Sequence, residues 1–352
     1  MPAFIHLMPM DSLIFNGELI RLINNEIDGC NHLFILSDRA SFDQLSTQYT
    51  NVRYEPRIRL KTIHQYDQGD SIFFLHSLFL HKTDLCVLKT SLARRMVWCV
   101  WGHDLYRAER RSPINRLKVF LANRKIAQFK AIAAGFSYDE IEIHHRFGHA
   151  LPVYNALYPS GYFQNDIDQI VATHQRTDQR TNILVGHSGY SFLQHKKQLD
   201  RLAHYKDKNI VITLVLCYGD KAYIEEVIDY AKTLFEPEQL HIVRQFTSWQ
   251  TYIDMLCDVD VAIFDFDHQA AFGTLILLSY LQKKLYLSPT GIMYHALHNE
   301  QTEVYDCTEI GQIAFGQFTA RNSSNTDRSY IISLLDKSNI IAQWKYLFQQ
   351  IR

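Results

Sequence analysis

The sequence lacks several features that would assign it at once to a class of protein. Its six cysteines form no CxxC pair and have no zinc-ligand spacing, so we expect buried thiols in a reducing cytosol rather than disulfides. The formal net charge is -1, which offers no field suited to nucleic acid. We find no run of about 18 apolar residues and no secretory signal, and therefore predict a protein that is neither exported nor membrane-spanning. No GxGxxG follows the first predicted strand, which disfavours a dinucleotide oxidoreductase.

The pattern that is present predicts an α/β protein. The chain has 352 residues, of which 47% are hydrophobic, and this length is enough for two domains with separate cores. Strand-like runs alternate with helix-period segments, as in parallel sheets built from βαβ units. Strands are predicted at residues 3–8, 32–36, 71–75, 96–101, 182–185, 209–217, 241–243 and 259–264, and helices at 12–27, 113–133, 221–234 and 274–282.

One stretch, residues 259–284, has the layout of a phosphate-binding loop. A β-branched and aromatic run ends in a polar loop carrying Gln269, and Gly273 and Thr274 then open an apolar helix. The first-turn N–H groups of a helix lack partners, so an anion can bind there. In the alternative interpretation the roles are structural: Gly273 permits a tight turn, Thr274 caps the helix, and Gln269 forms a hydrogen bond within its own loop.

A second loop of the same kind lies upstream. The predicted strand at 182–185 is followed by Gly186, His187, Ser188 and Gly189, and then by a polar segment that reaches His195. Ser188 is either a phosphate contact or a helix cap, and His195 either donates to a diphosphate or is structural. Two such loops in one α/β half predict a nucleotide diphosphate donor.

Two Rossmann-like domains facing a cleft, with phosphate loops in the second, form the GT-B layout of many sugar-nucleotide glycosyltransferases. We assign residues 1–150 to an N-terminal acceptor-binding domain and 151–168 to a linker, and we expect a cleft to close about residues 148–166. Residues 169–335 are assigned to a nucleotide-sugar-binding domain. The segment 336–352 is predicted to be a helix that crosses back to the first domain.

Candidate residues in the first half follow predicted strands. Asp104 comes after the strand at 96–101 and is either a general base for an acceptor hydroxyl or a helix cap paired with Arg107. Asp11 is the second candidate base or a helix cap, with Asn16 one turn later. His76 ends another apolar strand and is either an acceptor-binding residue or a core histidine.

Two DxD-like strings, at 258–260 and 265–267, raise the question of a metal. Each pair lies where surface or capping acids lie, and no third carboxylate has suitable spacing. We therefore predict metal-independent chemistry without a cofactor, in which helix termini and cations stabilise the leaving diphosphate.

Short motifs along the chain resemble glycosyltransferase family 56. These bacterial transferases move 4-acetamido-4,6-dideoxygalactose from a thymidine diphosphate donor onto lipid II in enterobacterial common antigen synthesis. The similar segments are FIHL with Asp11, FFLH ending at His76, VWGHDLYRAE around Asp104, NILVGHSG with His195, AYIEEV, and Gln269 with FGTLILL. The resemblance implies a GT-B transferase with a nucleotide-sugar donor and a lipid-linked saccharide acceptor.

Departures from the family pattern concern donor recognition. Ala270 and Ala271 stand where Gln and Gly are usual, and His187 replaces a small amide. The acidic pair with which many retaining GT-B enzymes bind the donor is absent, because Ala270 and Leu278 occupy the corresponding positions. Ribose recognition then falls to other groups, among them Tyr218 at a strand end.

A basic concentration lies between residues 89 and 130, with apolar residues interleaved at partly helical spacing. It is either the solvated face of a core helix or a surface for anionic lipid. With the resemblance, we predict peripheral association with the inner face of the bacterial inner membrane. The competing functions are a sugar-nucleotide epimerase or hydrolase of the same architecture and a noncatalytic binding protein.

Overall fold

A computed structural model of the protein describes residues 3–9, 16–27, 29, 31–102, 104–106, 113–176, 178–320 and 328–352. The chain divides into two compact units. The first comprises residues 1–163 and 336–352, and the second residues 164–335.

The first unit is built on a parallel sheet with seven strands in the described part of the chain. The order is β3-β2-β1-β4-β5-β6-β7, and every neighbouring pair is parallel. The strands are β1 (Ala3–Met8), β2 (Asn31–Leu36), β3 (Val52–Tyr54), β4 (Ile72–His76), β5 (Met96–Cys99), β6 (Ala131–Ala134) and β7 (Val153–Asn155). The helices are α1 (Glu18–Glu26), α2 (Arg39–Leu45), α3 (Leu60–Tyr66), α4 (Lys82–Val87), α5 (Thr90–Ala93), α6 (Pro113–Ile126) and α7 (Ser137–Phe147).

The second unit repeats this architecture with six described strands. Their order is β10-β9-β8-β11-β12-β13, again with all neighbours parallel. The strands are β8 (Thr181–Val185), β9 (Ile210–Val215), β10 (Leu240–Val243), β11 (Val261–Phe264), β12 (Lys284–Leu287) and β13 (Tyr305–Asp306). The helices are α8 (Gln164–Thr173), α9 (His195–Leu202), α10 (Lys221–Leu234), α11 (Trp249–Asp258), α12 (Phe272–Tyr280), α13 (Ile292–Asn299), α14 (Phe315–Thr319) and α15 (Ser329–Leu335). None of the helices in the described ranges is both long and apolar enough to cross a membrane.

Local sequence explains where the longer helices begin. Asp220 accepts hydrogen bonds from the N–H groups of Ala222 and Tyr223, and Ser248 accepts one from Thr251, so each side chain satisfies a first-turn donor. The central strands β1, β4, β8 and β11 are mostly apolar, because both faces of a parallel sheet are covered by helices.

The predicted α/β class with two Rossmann-like domains is confirmed. The strand at 3–8 and the helix at 221–234 have the predicted bounds. The helix at 113–133 was too long, because it ends at Ile126 and residues 131–134 form β6. The predicted linker contains β7. The strands that the sequence analysis did not predict, β3, β6, β7, β12 and β13, have two to four residues each, which leaves little alternation to detect.

The C-terminal helix α16 (Lys337–Gln350) belongs to the first unit. The indole Nε1 of Trp344, fully buried, donates to the carbonyl of Leu157 over 2.9 Å. The Oε1 of Gln343 accepts from the N–H of the same leucine at 3.0 Å. Phe348 stacks on Phe4 of β1 with the ring centroids 5.3 Å apart. The helix therefore supplies hydrogen-bond partners to the backbone N–H and carbonyl of Leu157, in the segment that follows β7.

Replacing Trp344 with Phe should lower the free energy of unfolding by about 1–3 kcal/mol, because the buried Leu157 carbonyl loses its donor. Urea denaturation followed by fluorescence measures this change. The exposed Tyr346 on the same helix is the control, and Tyr346→Phe should leave stability within about 0.5 kcal/mol of the wild type. Equal stability of the two variants would contradict the assigned role of the indole.

Candidate active site

The loop of residues 186–189, here called the Gly186 loop, follows β8 at the carboxyl edge of the second sheet. Gly186 has a left-handed backbone with φ +68°, and its N–H donates to the carbonyl of Ile263 over 3.0 Å. A Cβ at Gly186 would lie 2.5 Å from Nε2 of His195. Only glycine meets both conditions, so the loop passes directly over the histidine ring.

His195 is the first residue of α9 and has no exposed surface. Its Nδ1 lies 3.4 Å from the hydroxyl of Tyr223, whereas its Nε2 has no partner among the described residues. Burial, followed by the influence of His187, lowers the pKa of His195 to about 4. The ring is therefore neutral at pH 7 and presents one unsatisfied nitrogen beneath the Gly186 loop.

Further polar atoms at this edge are buried without a partner in the described part of the chain. Among them are Nδ1 of His187 and Oε1 of Gln269. Burial lowers the pKa of His187 to about 4, so this ring too is neutral at pH 7. Because unsatisfied buried polar atoms are costly, the cluster indicates a site for a polar ligand.

The segment of residues 265–274, here called the Gly273 segment, follows β11, the neighbour of β8 in the sheet. Helix α12 begins after Ala271, which has φ +55°, and no side chain of the described residues caps it. Gly273 is exposed in the first turn. The Thr274 hydroxyl lies 2.8 Å from the hydroxyl of Tyr252 rather than capping the helix. The Gly273 segment thus has the helix N-terminus that the sequence predicted.

The Gly186 loop differs from the prediction in one respect. It does not open directly into an α-helix, because a 3-10 turn at Ser191–Leu193 comes first and α9 begins only at His195. Ser188 is fully buried in the loop and is not a helix cap, because these two helices begin after Tyr190 and Gln194. Gly189 instead pairs with the next loop, and its N–H donates to the carbonyl of Tyr218 over 2.6 Å. The structure thereby places the predicted Ser188, Gly189, His195 and Tyr218 around one loop.

A buried carboxylate that the sequence analysis missed as an organising group follows β11. Asp265 is 2% exposed and accepts from Nε2 of Gln198 at 2.5 Å and from Nζ of Lys197 at 2.9 Å. The guanidinium of Arg201 lies 3.3 Å away. All three partners come from α9, so Asp265 ties α9 to the start of the Gly273 segment and holds two cations at this edge.

The acids of both DxD strings are engaged with protein groups. Asp258 lies 2.9 Å from His174, and Asp260 forms a bidentate pair with Arg176. Asp267 accepts from the Thr290 hydroxyl. Within the described ranges, no group of three or more His, Cys, Asp or Glu side chains is arranged to hold a metal. Structural roles account for these carboxylates.

In the first unit, His76 ends β4 and is fully buried. Its Nε2 lies 2.9 Å from Nδ1 of His6, and Nε2 of His6 lies 3.0 Å from Nδ1 of His32. We call these three residues the histidine chain. Nδ1 of His76 is hydrogen-bonded to the hydroxyl of Tyr158, a half-buried residue. Among the described residues, Tyr158 is thus the group outside the histidine chain to which His76 is hydrogen-bonded.

The histidine chain is held neutral. Burial lowers the pKa of His76 to about 3 and that of His32 to about 4, with Arg352 as the second cause for His32. Burial also lowers the pKa of His6 well below its ordinary value, followed by the influence of His76 and His32. The chain forms a string of hydrogen bonds across three adjacent strands, β2, β1 and β4.

Asp104 lies half-buried after β5. Its Oδ2 accepts from the N–H of Leu78 at 2.7 Å and from Nε1 of Trp98 at 2.8 Å, and its Oδ1 accepts from the N–H of Trp101 at 3.0 Å. A carboxylate offers about four acceptor positions, so one on Oδ1 remains among the described residues. Asp104 fixes the loops after β4 and β5, and its role as a base stays a prediction.

Of the other residues considered in the first half of the chain, only some lie within the described residues. Asn16 is buried just before α1, whereas Asp11 and Arg107 lie outside the described residues. Ser77, directly after His76, has φ +70°, which is strained for a residue other than glycine. No sequence signal points to Ser77 or Tyr158, because backbone strain and contacts across the sheet depend on the tertiary fold.

The two parallel-sheet domains define the class of protein. Among solved structures, a glycosyltransferase from Rickettsia africae matches with a TM-score of 0.69 at 11% identity, covering 99% of this chain and 98% of that chain. HepE of Anabaena, solved with UDP and glucose, matches with a TM-score of 0.64 at 16% identity, covering 99% and 100%. The N-terminal domain of a trehalose-6-phosphate phosphatase from Candida albicans matches with a TM-score of 0.63 at 10% identity, covering 99% and 98%. The chain has the GT-B fold.

The family follows from the sequence itself. A family model described as "4-alpha-L-fucosyltransferase glycosyl transferase group 56" matches residues 1–351. The chain belongs to glycosyltransferase group 56, and it is a glycosyltransferase. The resemblance inferred from the short motifs is therefore confirmed.

Lowering the pH from 7 to 5 should reduce the free energy of unfolding. The unfolded histidine pKa is 6.5 and the folded value of His32 is about 4, so the unfolded state binds more protons between these values. The contribution of neutral His32 to the free energy of unfolding is fully present above pH 6.5. It decreases as the pH falls below 6.5 and is lost once the pH has fallen through about 4. His32→Phe should lose less stability between pH 7 and 5, by on the order of 1 kcal/mol.

Urea denaturation at both pH values measures the difference. The control is His145→Phe, because that side chain is 84% exposed and should leave the pH dependence unchanged. A pH dependence shared by the wild type and both variants would show that His32 is not buried neutral in the folded state.

Proposed function

We propose that this glycosyltransferase moves a sugar, by its family resemblance a deoxyaminosugar, from a TDP- or UDP-linked donor to a lipid-linked saccharide in bacterial surface polysaccharide synthesis. The observation that carries the donor assignment is the cluster around Gly186. Among the described residues, one ring nitrogen each of His187 and His195 and Oε1 of Gln269 lie unpaired at one sheet edge, with a start of α12 that no described side chain caps. Backbone N–H groups and neutral imidazole N–H donors suit a diphosphate, whereas the Gln269 oxygen is an acceptor that suits a sugar hydroxyl.

A nucleotide-sugar donor also agrees with a protein of similar fold. HepE of Anabaena was solved with UDP and with UDP-glucose. In the proposed complex, the Gly186 loop and the first turn of α12 bind the departing diphosphate, and His195 donates from Nε2. Lys197 and Arg201, already fixed by Asp265, add positive charge at the same edge.

The proposed acceptor chemistry belongs to the first unit. Asp104, through its remaining Oδ1 position, or Asp11 takes the proton of the acceptor hydroxyl as that oxygen attacks the anomeric carbon. His76 and Asn16 are proposed to support acceptor binding, with His76 acting through Tyr158. The bond from the anomeric carbon to the diphosphate breaks, and the leaving group keeps the electron pair.

A thermal-shift panel of UDP, TDP and their sugars tests the donor assignment. Ligands that bind the native state raise its melting temperature, by an amount that grows with the logarithm of the ligand concentration divided by Kd. The wild-type protein should be stabilised by at least one of these nucleotides. In Gly273→Leu, a side chain in the first turn of α12 would block the approach of the phosphate, and the shift should disappear.

Gly316→Leu is the matched control, because Gly316 is also exposed near the start of a helix and a Cβ there meets no atom within 4 Å. It should keep the full shift. The same shift in Gly273→Leu as in the wild type would reject the role of Gly273. Absence of any shift in the wild type would reject the nucleotide donor.

We further propose that α6 rests on the inner face of the bacterial inner membrane. Its exposed face carries Ile114 at 68%, Leu117 at 59% and Phe120 at 55% exposure, while Val119 and Ile126 are buried on the other face. The helix has four cations, Arg116, Lys118, Arg124 and Lys125, and no acidic residue. Apolar side chains interleaved with cations suit an anionic bilayer surface.

Sedimentation with phosphatidylglycerol vesicles tests this surface. The double variant Leu117→Gln/Phe120→Gln should bind about tenfold or more weakly, because each apolar side chain contributes roughly 1.5–3 kcal/mol when buried. The control is Ile141→Gln on α7, which is 59% exposed and should bind as the wild type does. Undiminished binding of the double variant, or equal wild-type binding to phosphatidylcholine vesicles, would contradict the proposal.

A further inference from the structure

Four exposed aromatic residues follow three neighbouring strands of the second sheet. Tyr190 and Phe192 come after β8, Tyr218 after β9 and Phe246 after β10. Their exposed fractions are 42%, 37%, 41% and 74%, in that order. We call this set the aromatic strip. Large apolar side chains grouped in solvent commonly mark a binding surface.

Ring contacts make the strip continuous. Tyr218 and Phe246 stack with centroids 5.7 Å apart and planes at 9°, and Tyr190 and Phe192 stack at 5.6 Å and 11°. Tyr190 meets Tyr218 edge to face at 6.1 Å, which joins the two pairs. Phe246 has only Tyr218 as an aromatic neighbour among the described residues. It therefore offers a flat ring face to a ligand.

Two glycines hold the strip in place. A Cβ at Gly219 would lie 2.4 Å from the carbonyl of Gly189, and a Cβ at Gly189 would lie 2.1 Å from Cγ1 of Ile224. The N–H of Asp220 donates to the Gly189 carbonyl over 3.0 Å. The loops after β8 and β9 are thus clamped backbone to backbone, so Tyr218 is positioned before any ligand arrives.

The aromatic strip lies beside the Gly186 loop, at the same edge of the second sheet. Tyr218 lies 6.4 Å from His187, measured between ring centroids. Strand β10 is two places from β8 in the sheet, and neighbouring strands lie about 4.8 Å apart, so Phe246 follows a strand roughly 10 Å away. A ligand that is anionic at one end and flat and aromatic at the other, with a linking group between, fits this arrangement.

We propose that Phe246 and Tyr218 form the stacking surface for the base of the donor nucleotide. The inference rests on the proposed donor and adds the residues that hold its base. Stacking on an aromatic face tolerates every base, because each base has a π-face. The surface therefore contributes affinity for UDP and TDP alike, and the choice between the two depends on other groups.

Isothermal titration with UDP, TDP and inorganic pyrophosphate tests the assignment. Phe246→Ala and Tyr218→Ala should each weaken the binding of both nucleotides about tenfold or more and leave pyrophosphate affinity unchanged. Phe246→Tyr, which keeps the ring, should restore nucleotide affinity. The control is Tyr346→Ala, an exposed aromatic of the first unit, which should bind all three ligands as the wild type does.

The outcomes separate this inference from the donor assignment. Nucleotide affinity that is unchanged in both alanine variants overturns the stacking surface alone. A parallel loss of pyrophosphate affinity does the same, because it shows a general disturbance of the site. Wild-type protein that binds pyrophosphate but neither nucleotide overturns the donor and, with it, the stacking surface.

Discussion

The close approach of Gly186 to the His195 ring is the constraint on which the candidate donor site depends. A left-handed backbone and a ring nitrogen 2.5 Å from the position of a Cβ leave room for glycine alone. The absence of a side chain lets the loop pass close to the start of α9, where His195 begins the helix. Asp265 fixes the same helix from the side of β11 through Gln198, Lys197 and Arg201. Two neighbouring strand ends are thus locked into one rigid edge.

The electrostatics of this edge combine paired acids with neutral histidines. Asp265 and Asp267, which follow β11, are bound to protein groups, and burial keeps His187 and His195 neutral at pH 7. Among the described residues, the atoms left unpaired at this edge are neutral, and they lie beside a helix start that no described side chain caps. Neutral N–H donors can bind a diphosphate without adding a charge of their own to the buried site. Leaving them without a ligand costs less free energy than leaving a buried charge unpaired, and they still stabilise the bound anion.

The first unit uses buried polar groups for a different purpose. The histidine chain joins three strands, and Asp104 joins the loops after β4 and β5 with three accepted hydrogen bonds. Tyr158 is hydrogen-bonded to His76 at one end of the histidine chain, and its ring centroid lies 5.1 Å from that of Trp101. Helix α16 supports the segment that carries this tyrosine, since Trp344 and Gln343 satisfy the backbone of Leu157.

The sequence by itself determined the α/β class, the family, most long strands and the two loops at Gly186 and Gly273, because hydrophobic periodicity and glycine placement are local signals. It could not determine that His76 is buried behind Tyr158, that Ser188 and Thr274 cap no helix, or that Tyr190, Tyr218 and Phe246 form one surface. Those facts depend on which strands are neighbours and on which side chains are desolvated. Only the tertiary structure decided them, because parallel strands far apart in the chain are brought side by side by packing.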